Sequence, residues 1–310
     1  MHEHIARAMY YVSIHLLFAS VVATIAWALT SILRASATAK YWVWVATAFN
    51  FVLPSGALID KLWAPHFTWA YPLGVIGGPV WHMTHGRIAV VLASVWGIGA
   101  FIMLSRFASR IRKERREAQP LSSLSDNGFA SKFQTNGIPV SFGAAHSGPA
   151  VCGVLSPRIL LPIGIDRLLN PREFHAVLIH ELAHARRRDN LIRLLYEVSL
   201  CALWFHPLMW LAGSRVGLYR ELSCDESVIR RAHGRELVSA LAKLAVPKHA
   251  GVLQATASSH LSYRLALLDT PPQTTRRAAS LLLATLFSAI IAAGIFQTIA
   301  HTACCFVIKH

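Results

Sequence analysis

The run His180-Glu181-Leu182-Ala183-His184 holds the residues whose types and spacing most directly suggest chemistry. Residues four apart project from one face of a helix, so both imidazoles can reach one metal ion. Glu181 stands one position after the first histidine, where it can address a metal-bound water as a general base without ligating. The pattern points to Zn2+ as cofactor and to hydrolysis of peptide bonds by metal-activated water. Three fixed identities in five positions also arise by chance, so the surroundings matter. Val177, Leu178, Leu182 and Ala183 are apolar or small, as on a packed helix, and a third ligand is available downstream.

A catalytic zinc takes three protein ligands and keeps one position open. Glu221, in Arg220-Glu221-Leu222-Ser223-Cys224-Asp225, offers the third, and Asp225 lies one turn further on the same face. From there it can accept a hydrogen bond from the free ring nitrogen of a ligand histidine. The plainer reading of both acids is a solvated helix face near Arg220 and Arg230. Cys224 is close enough to Glu221 around the helix to ligate in its place, although two histidines and a glutamate are the usual set with this motif. Arg186 to Arg188 are expected to stabilise a helix C-terminus or to contact anionic headgroups, and Asp189 to pair with them or end the helix.

The elements that must position these residues have their own signatures. Asn170 as N-cap, Pro171 at the first helical position and Glu173 three residues after the cap predict a helix through Arg188. Asn190 is read as the cap of the next helix, and a further helix, GLYRELSCDESVIRRAH, is read as ending at Gly234. Upstream, Ile138 to Phe142, Pro149 to Val154 and Arg158 to Pro162 are short β-favouring runs that predict a small sheet, whose edge would suit an extended substrate. Residues 111 to 135 read as a polar linker.

Hydrophobic residues make up 54% of the 310 positions and charged residues 15%, with a mean hydropathy of +0.44, a balance that predicts a membrane protein. Uncharged windows place spans at about residues 8–33, 41–59, 88–105 and 278–300. The first window is too long for the apolar part of a signal peptide, despite Ala35-Ser36-Ala37 resembling a cleavage site. Prolines and glycines between Trp63 and Gly86 make that uncharged run a loop. The basic cluster from Arg106 to Arg116 belongs on the cytoplasmic side, which puts both termini outside. Residues 191–211 are apolar enough to touch the bilayer, while Arg193, Glu197 and Pro207 favour an interfacial or re-entrant hairpin over two more spans.

The expected fold is therefore mainly α and integral to a membrane. A transmembrane region (1–106) precedes a cytoplasmic α+β zinc domain (107–277), and a final span and short outer tail (278–310) follow. The net charge of +15 fits positive-inside bias and anionic lipid, and no nucleic-acid motif accompanies it, so direct nucleic-acid binding is not expected. Five cysteines at uneven spacings do not form a disulfide framework; Cys304 and Cys305 are oxidation candidates near the outer end.

HELAHARRRD followed by YRELSCDE, together with SPRILLP (Ser156 to Pro162) and NPREFHAVLIHELAH, resembles the membrane gluzincin peptidases typified by the Bla/Mec β-lactam receptor proteases. The resemblance implies that His180, His184 and Glu221 bind zinc and that Glu181 is the catalytic base. It also implies a multi-pass protein of a bacterial-type inner membrane, with regulatory proteolysis of a cytoplasmic repressor or of its own chain. Those receptors continue into a penicillin-binding sensor, whereas this sequence stops at His310, so the expectation is a chain without that sensor. Ser259-His260-Leu261-Ser262-Tyr263-Arg264 is similar to a segment of CAAX-type and HtpX-type membrane gluzincins. That likeness would make His260 an oxyanion stabiliser and Arg264 a partner of a carboxylate behind the ligands. The non-catalytic rival is a membrane signalling protein that has kept a zinc fold, and the enzymatic rival is a protease with its motif inside a spanning helix. ARRRD directly after His184 argues against the latter.

Overall fold

A computed structural model describes residues 2–52, 87–117, 135, 137–143, 148–231, 233–244, 264, 277–285 and 287–288. The described elements are α1 (His2–Ile32), α2 (Ala37–Asn50), α3 (Arg87–Glu117), β1 (Val140–Gly143), β2 (Ala150–Cys152) and β3 (Arg158–Pro162). They continue with α4 (Ile165–Leu168), α5 (Pro171–Arg187), α6 (Asp189–Ala202), α7 (Pro207–Ile229) and α8 (Gly234–Leu244). Residues 277–285 are also helical.

Among the described residues, two helices are long and apolar enough to cross a bilayer, in the windows His15–Ile32 and Val90–Glu114. The expected second span coincides with α2 as far as it is described, and its remainder, from residue 53, lies outside the described residues, as does the expected loop at 60–86. Ser36 caps α2 by accepting from the Ala39 amide at 3.2 Å. Against α1, the Trp44 indole donates to Thr30 Oγ1 at 3.2 Å, a buried polar pair made inside an apolar contact. Leu283 and Phe287, from the expected last span, pack with Val22, Ala26 and Val43.

The zinc-motif region forms a second core. The sheet has the order β1-β3-β2, with β1 parallel and β2 antiparallel to β3, so β2 is an edge. Ile159 and Leu161 of β3 pack under Phe174, Val177 and Leu178 of α5, with Leu237 and Ala240 of α8 closing the layer. Helix α5 starts as expected: Asn170 accepts from the Arg172 and Glu173 amides, and Glu173 reaches back to the Asn170 amide at 2.9 Å. The two regions are joined by α7, whose Ala212, Val216, Tyr219 and Leu222 pack on Tyr41, Trp44, Val45 and Ala48 of α2.

Four expectations change. Residues 111–117 continue α3 rather than opening a linker, because the run RKERRE consists of good helix formers. Asn190 does not cap α6; Arg188 holds the junction in a left-handed conformation (φ 54°, ψ 46°), and α6 begins at Asp189. Helix α7 starts at Pro207, ten residues before Gly217, since Pro fits a first turn that needs no amide donor. Helix α7 ends at Ile229, with Arg230 as its C-cap, and Gly234 opens α8 rather than ending the preceding helix.

Candidate metal centre

On α5, His180 and His184 point the same way, and their Nε2 atoms lie 3.2 Å apart. Glu221, on α7, brings its Oε2 to 3.6 Å from His180 Nε2 and 3.8 Å from His184 Nε2. Its other oxygen accepts from Arg220 Nε at 3.1 Å and Nη2 at 2.9 Å, which fixes the carboxylate with Oε2 toward the histidines.

The fit to zinc can be tested from these separations. Ligand bonds of about 2.0–2.2 Å in tetrahedral directions put neighbouring ligand atoms about 3.3–3.6 Å apart. The triangle of 3.2, 3.6 and 3.8 Å lies within about 0.2 Å of three vertices of such a tetrahedron. The donor set is also right, with two imidazoles and a carboxylate leaving one direction open. Cys224 lies on the same face of α7, and its Sγ and the two histidines hold ligand atoms all within 4.8 Å of one another. That sulfur also receives Arg187 Nη2 at 3.0 Å.

Carboxylates stand behind both histidines. His184 Nδ1 is 2.6 Å from Asp189 Oδ2. His180 Nδ1 is 3.0 Å from Asp225 Oδ1, off the straight hydrogen-bond line. The His184 ring, whose Nδ1 donates to Asp189, turns a lone pair outward on Nε2 toward His180 Nε2 and Glu221 Oε2, so acceptor atoms converge on one point. Such a convergence repels itself unless a cation occupies it.

The surrounding acids favour positive charge at this point. Burial opposes a charged His180, yet Asp225 and Glu221 outweigh it and raise the ring to about 9. Burial likewise opposes charge on His184, and Asp189, Cys224 and Glu221 push it well up. Glu221 is held well below the carboxylate range, because the histidines and Arg220 outweigh its burial. Glu181 is the exception. Burial pushes its carboxyl upward against the pull of His180 and His184, the direction that makes a carboxylate a better proton acceptor near neutrality.

The supports of the carboxylates come from several elements. Arg187 grips Asp189 with Nε at 3.0 Å and Nη2 at 2.6 Å, and it also donates to Ser223 and to the Arg220 carbonyl. Tyr41 of α2 donates to Asp189 Oδ1 at 3.0 Å, with the Arg187 guanidinium 4.6 Å from its ring centre. Arg264 grips Asp225 with Nε and Nη2, both at 2.8 Å.

Thus the expected His180, Glu181, His184, Glu221, Asp225 and Arg264 are gathered in one place, while His260 lies outside the described residues. Sequence reasoning missed Asp189, Arg187 and Tyr41 as members of the site. Asp189 reaches His184 because the left-handed Arg188 reverses the chain, and an arginine gives no sign of that turn. Arg187 therefore faces inward to Asp189 rather than only closing the helix or meeting headgroups. Asn190, freed from capping, donates to the Val151 and Gly153 carbonyls at 2.8 and 3.1 Å, holding β2 beside the site. The result is a cleft of about 350 Å³ lined by Glu181 and the two histidines together with Ala150, Val151, Leu237, Leu241 and Leu244.

Comparison with known proteins gives a match between residues 11–268 and the family described as BlaR1 peptidase M56. The regulatory protein BlaR1 of Bacillus licheniformis is 28% identical over 145 residues, 44% of this chain and 24% of that protein. The methicillin resistance mecR1 protein of Staphylococcus aureus is 26% identical over 99 residues, 32% of this chain and 17% of that protein. The chain thus spans no more than about a quarter of these relatives.

Proposed function

Since the chain belongs to the BlaR1 peptidase M56 family, we propose that it is a membrane-embedded zinc endopeptidase acting in regulatory proteolysis, with His180, His184 and Glu221 as metal ligands. The observation that carries this reading is the triangle of two Nε2 atoms and Glu221 Oε2, sized for zinc, with the buried Glu181 carboxylate beside it. When bound, zinc supplies a water of lowered pKa and polarises the scissile carbonyl.

The protein's own groups do the rest. Glu181 takes the proton of the attacking water and delivers it to the leaving amine, a role its upward-shifted carboxyl suits. Asp189 and Asp225 orient the two imidazoles, and Arg187, Tyr41 and Arg264 orient those carboxylates. The edge of β2 offers main-chain groups to an extended peptide, and the leucines of α8 an apolar wall for a side chain.

In this reading three spans precede and one follows a gluzincin domain of about residues 107–277. The site faces the cytoplasm, at the inner surface of a bacterial-type plasma membrane. Tyr41 stands only four residues into α2 from its inner end, which supports a site level with the membrane surface. The substrate would be a cytoplasmic repressor or a segment of the chain itself.

Glu181→Gln is expected to keep a full zinc content by metal analysis while cleavage of a peptide library falls at least ~100-fold. A Glu181→Gln protein that cleaves like wild type would sink the reading. The competing ligand set of His180, His184 and Cys224 is separated by the same metal analysis: Glu221→Ala loses zinc and Cys224→Ser keeps it.

A further inference from the structure

From Val198 to Ser214 the sequence carries no Asp, Glu, Lys or Arg, and in the fold this stretch is the tip of a helical hairpin: the end of α6, a turn at 203–206 and the start of α7. We infer that this hairpin is a re-entrant membrane element whose tip lies near mid-bilayer, with lipid acyl chains as the partner of its outer face. The inference rests on the reading of α1 and α3 as spans.

Three helices independently give the depth of the tip. His206 meets Ser20 of α1 at 3.2 Å, and Ser20 is twelve residues from the inner end of that helix at Ile32, about 18 Å at 1.5 Å per residue. The His206 ring lies 4.9 Å from that of Phe51, fourteen residues beyond the start of α2, or about 21 Å. The Trp96 indole donates to the Ala202 carbonyl at 2.8 Å, and Trp96 is ten residues, about 15 Å, outward of Arg106, where the basic cluster begins. A hydrocarbon core about 30 Å thick has its centre about 15 Å from either face.

Several carbonyls at the tip are satisfied from within the protein, as lipid demands. A turn in water can leave carbonyls to solvent, but in hydrocarbon each needs a partner from the protein. Here side chains supply them. Ala202 O accepts from Trp96, Trp204 O from the Trp210 indole at 2.7 Å, and Met209 O from the Tyr196 hydroxyl at 3.0 Å. Leu203 O accepts the His206 amide at 2.9 Å, while the Trp204 indole donates to Trp96 O at 3.2 Å.

The outer face is apolar: Leu195, Val198, Phe205 and Trp210 are each 44–49% exposed. The inner face packs Leu200 and Met209 against Ala19, Ala23 and Phe51 of the first two helices. Charge returns only toward the cytoplasmic end, where Glu197 and Arg193 pair with Arg110 and Glu114 of α3 at 2.9 and 2.6 Å. Helices α6 and α7 therefore run from mid-bilayer to Asp189 and Glu221, which roots the metal centre in the membrane.

The test is depth by spin labelling of the full chain in phosphatidylcholine and phosphatidylglycerol vesicles. All five native cysteines, Cys152, Cys201, Cys224, Cys304 and Cys305, are changed to Ser, and single cysteines are placed at Val198, Phe205 and Trp210, with Val95 of α3 and the exposed Leu168 as references. The expected result is that Phe205 is relaxed by oxygen and shielded from a water-soluble nickel chelate to the same degree as Val95, while Leu168 is open to the chelate. Phe205 reading like Leu168 while Val95 stays shielded overturns the hairpin and leaves the spans intact. Val95 open to the chelate overturns the span reading and the hairpin with it. On the unsubstituted chain, a phosphatidylcholine with a mid-chain diazirine should crosslink within residues 195–210; crosslinks confined to α1 and α3 would overturn the proposal.

Discussion

The Tyr41 hydroxyl donates to Asp189 Oδ1 at 3.0 Å, and Asp189 Oδ2 lies 2.6 Å from His184 Nδ1. A ligand's basicity and direction depend on such a chain, and partners behind a ligand typically affect metal affinity about 10–100-fold. Asp189→Asn is therefore expected to weaken zinc binding by at least ~10-fold in competition with a chelator. Tyr41→Phe keeps the ring under Arg187 and removes one donor, so its loss should be smaller, on the order of a few-fold and without loss of folded protein. Equal zinc affinity in Tyr41→Phe and wild type would reduce Tyr41 to a packing residue. The Asp225 side carries the larger penalty. Arg264→Ala leaves a buried carboxylate that has lost its bidentate partner, with an expected cost of about 3 kcal/mol in stability, read from the denaturation midpoint in detergent.

Helix α5 carries the motif, and its start does two jobs. Glu173 closes the capping box and also accepts from Ser239 at 2.6 Å and Lys243 at 2.7 and 2.8 Å, tying α5 to α8, which walls the cleft. Lys243 and Ser239, with the Asn170 amide, outweigh burial and lower the Glu173 carboxyl to about 2. A depressed folded value means stability that is fully present above the ordinary glutamate value of 4.5 and lost as pH falls toward 2. The melting temperature should fall through that window in wild type, and Glu173→Gln should be destabilised at neutral pH with this part of the fall removed. Asn170→Ala, which removes only the N-cap acceptor, is expected to cost about 1 kcal/mol at either pH.

At the scale of the molecule, the proposed metal centre is assembled from elements that no single segment contains. Helix α5 brings the histidines and Glu181, α7 brings Glu221 and Asp225, α2 reaches in with Tyr41, and Arg264 arrives from beyond α8. Helix α7, which bears Glu221, packs along α2. The outer rim is held more weakly. The Arg110–Glu197 and Arg193–Glu114 pairs join α3 to α6 in partly exposed positions, so a double-mutant cycle on either should give no more than about 1 kcal/mol of coupling, falling further with salt.

The motif spacing by itself determined which residues could meet a metal, because a period of four on a helix is local geometry that survives any packing. The caps of α5, the β3 strand and the apolar windows of α1 and α3 were legible for the same reason: each is written within one turn or one uncharged run. Asp189 was not, since its approach to His184 depends on a left-handed arginine at 188 that the surrounding contacts impose against its own preference. Nor were the start of α7, the extent of α3 and the partnership of Tyr41 with Asp189, which lies 148 residues away in sequence. Only the tertiary structure decided these, because long-range pairing of buried polar groups is set by which helices pack together, and sequence periodicity is silent on that choice.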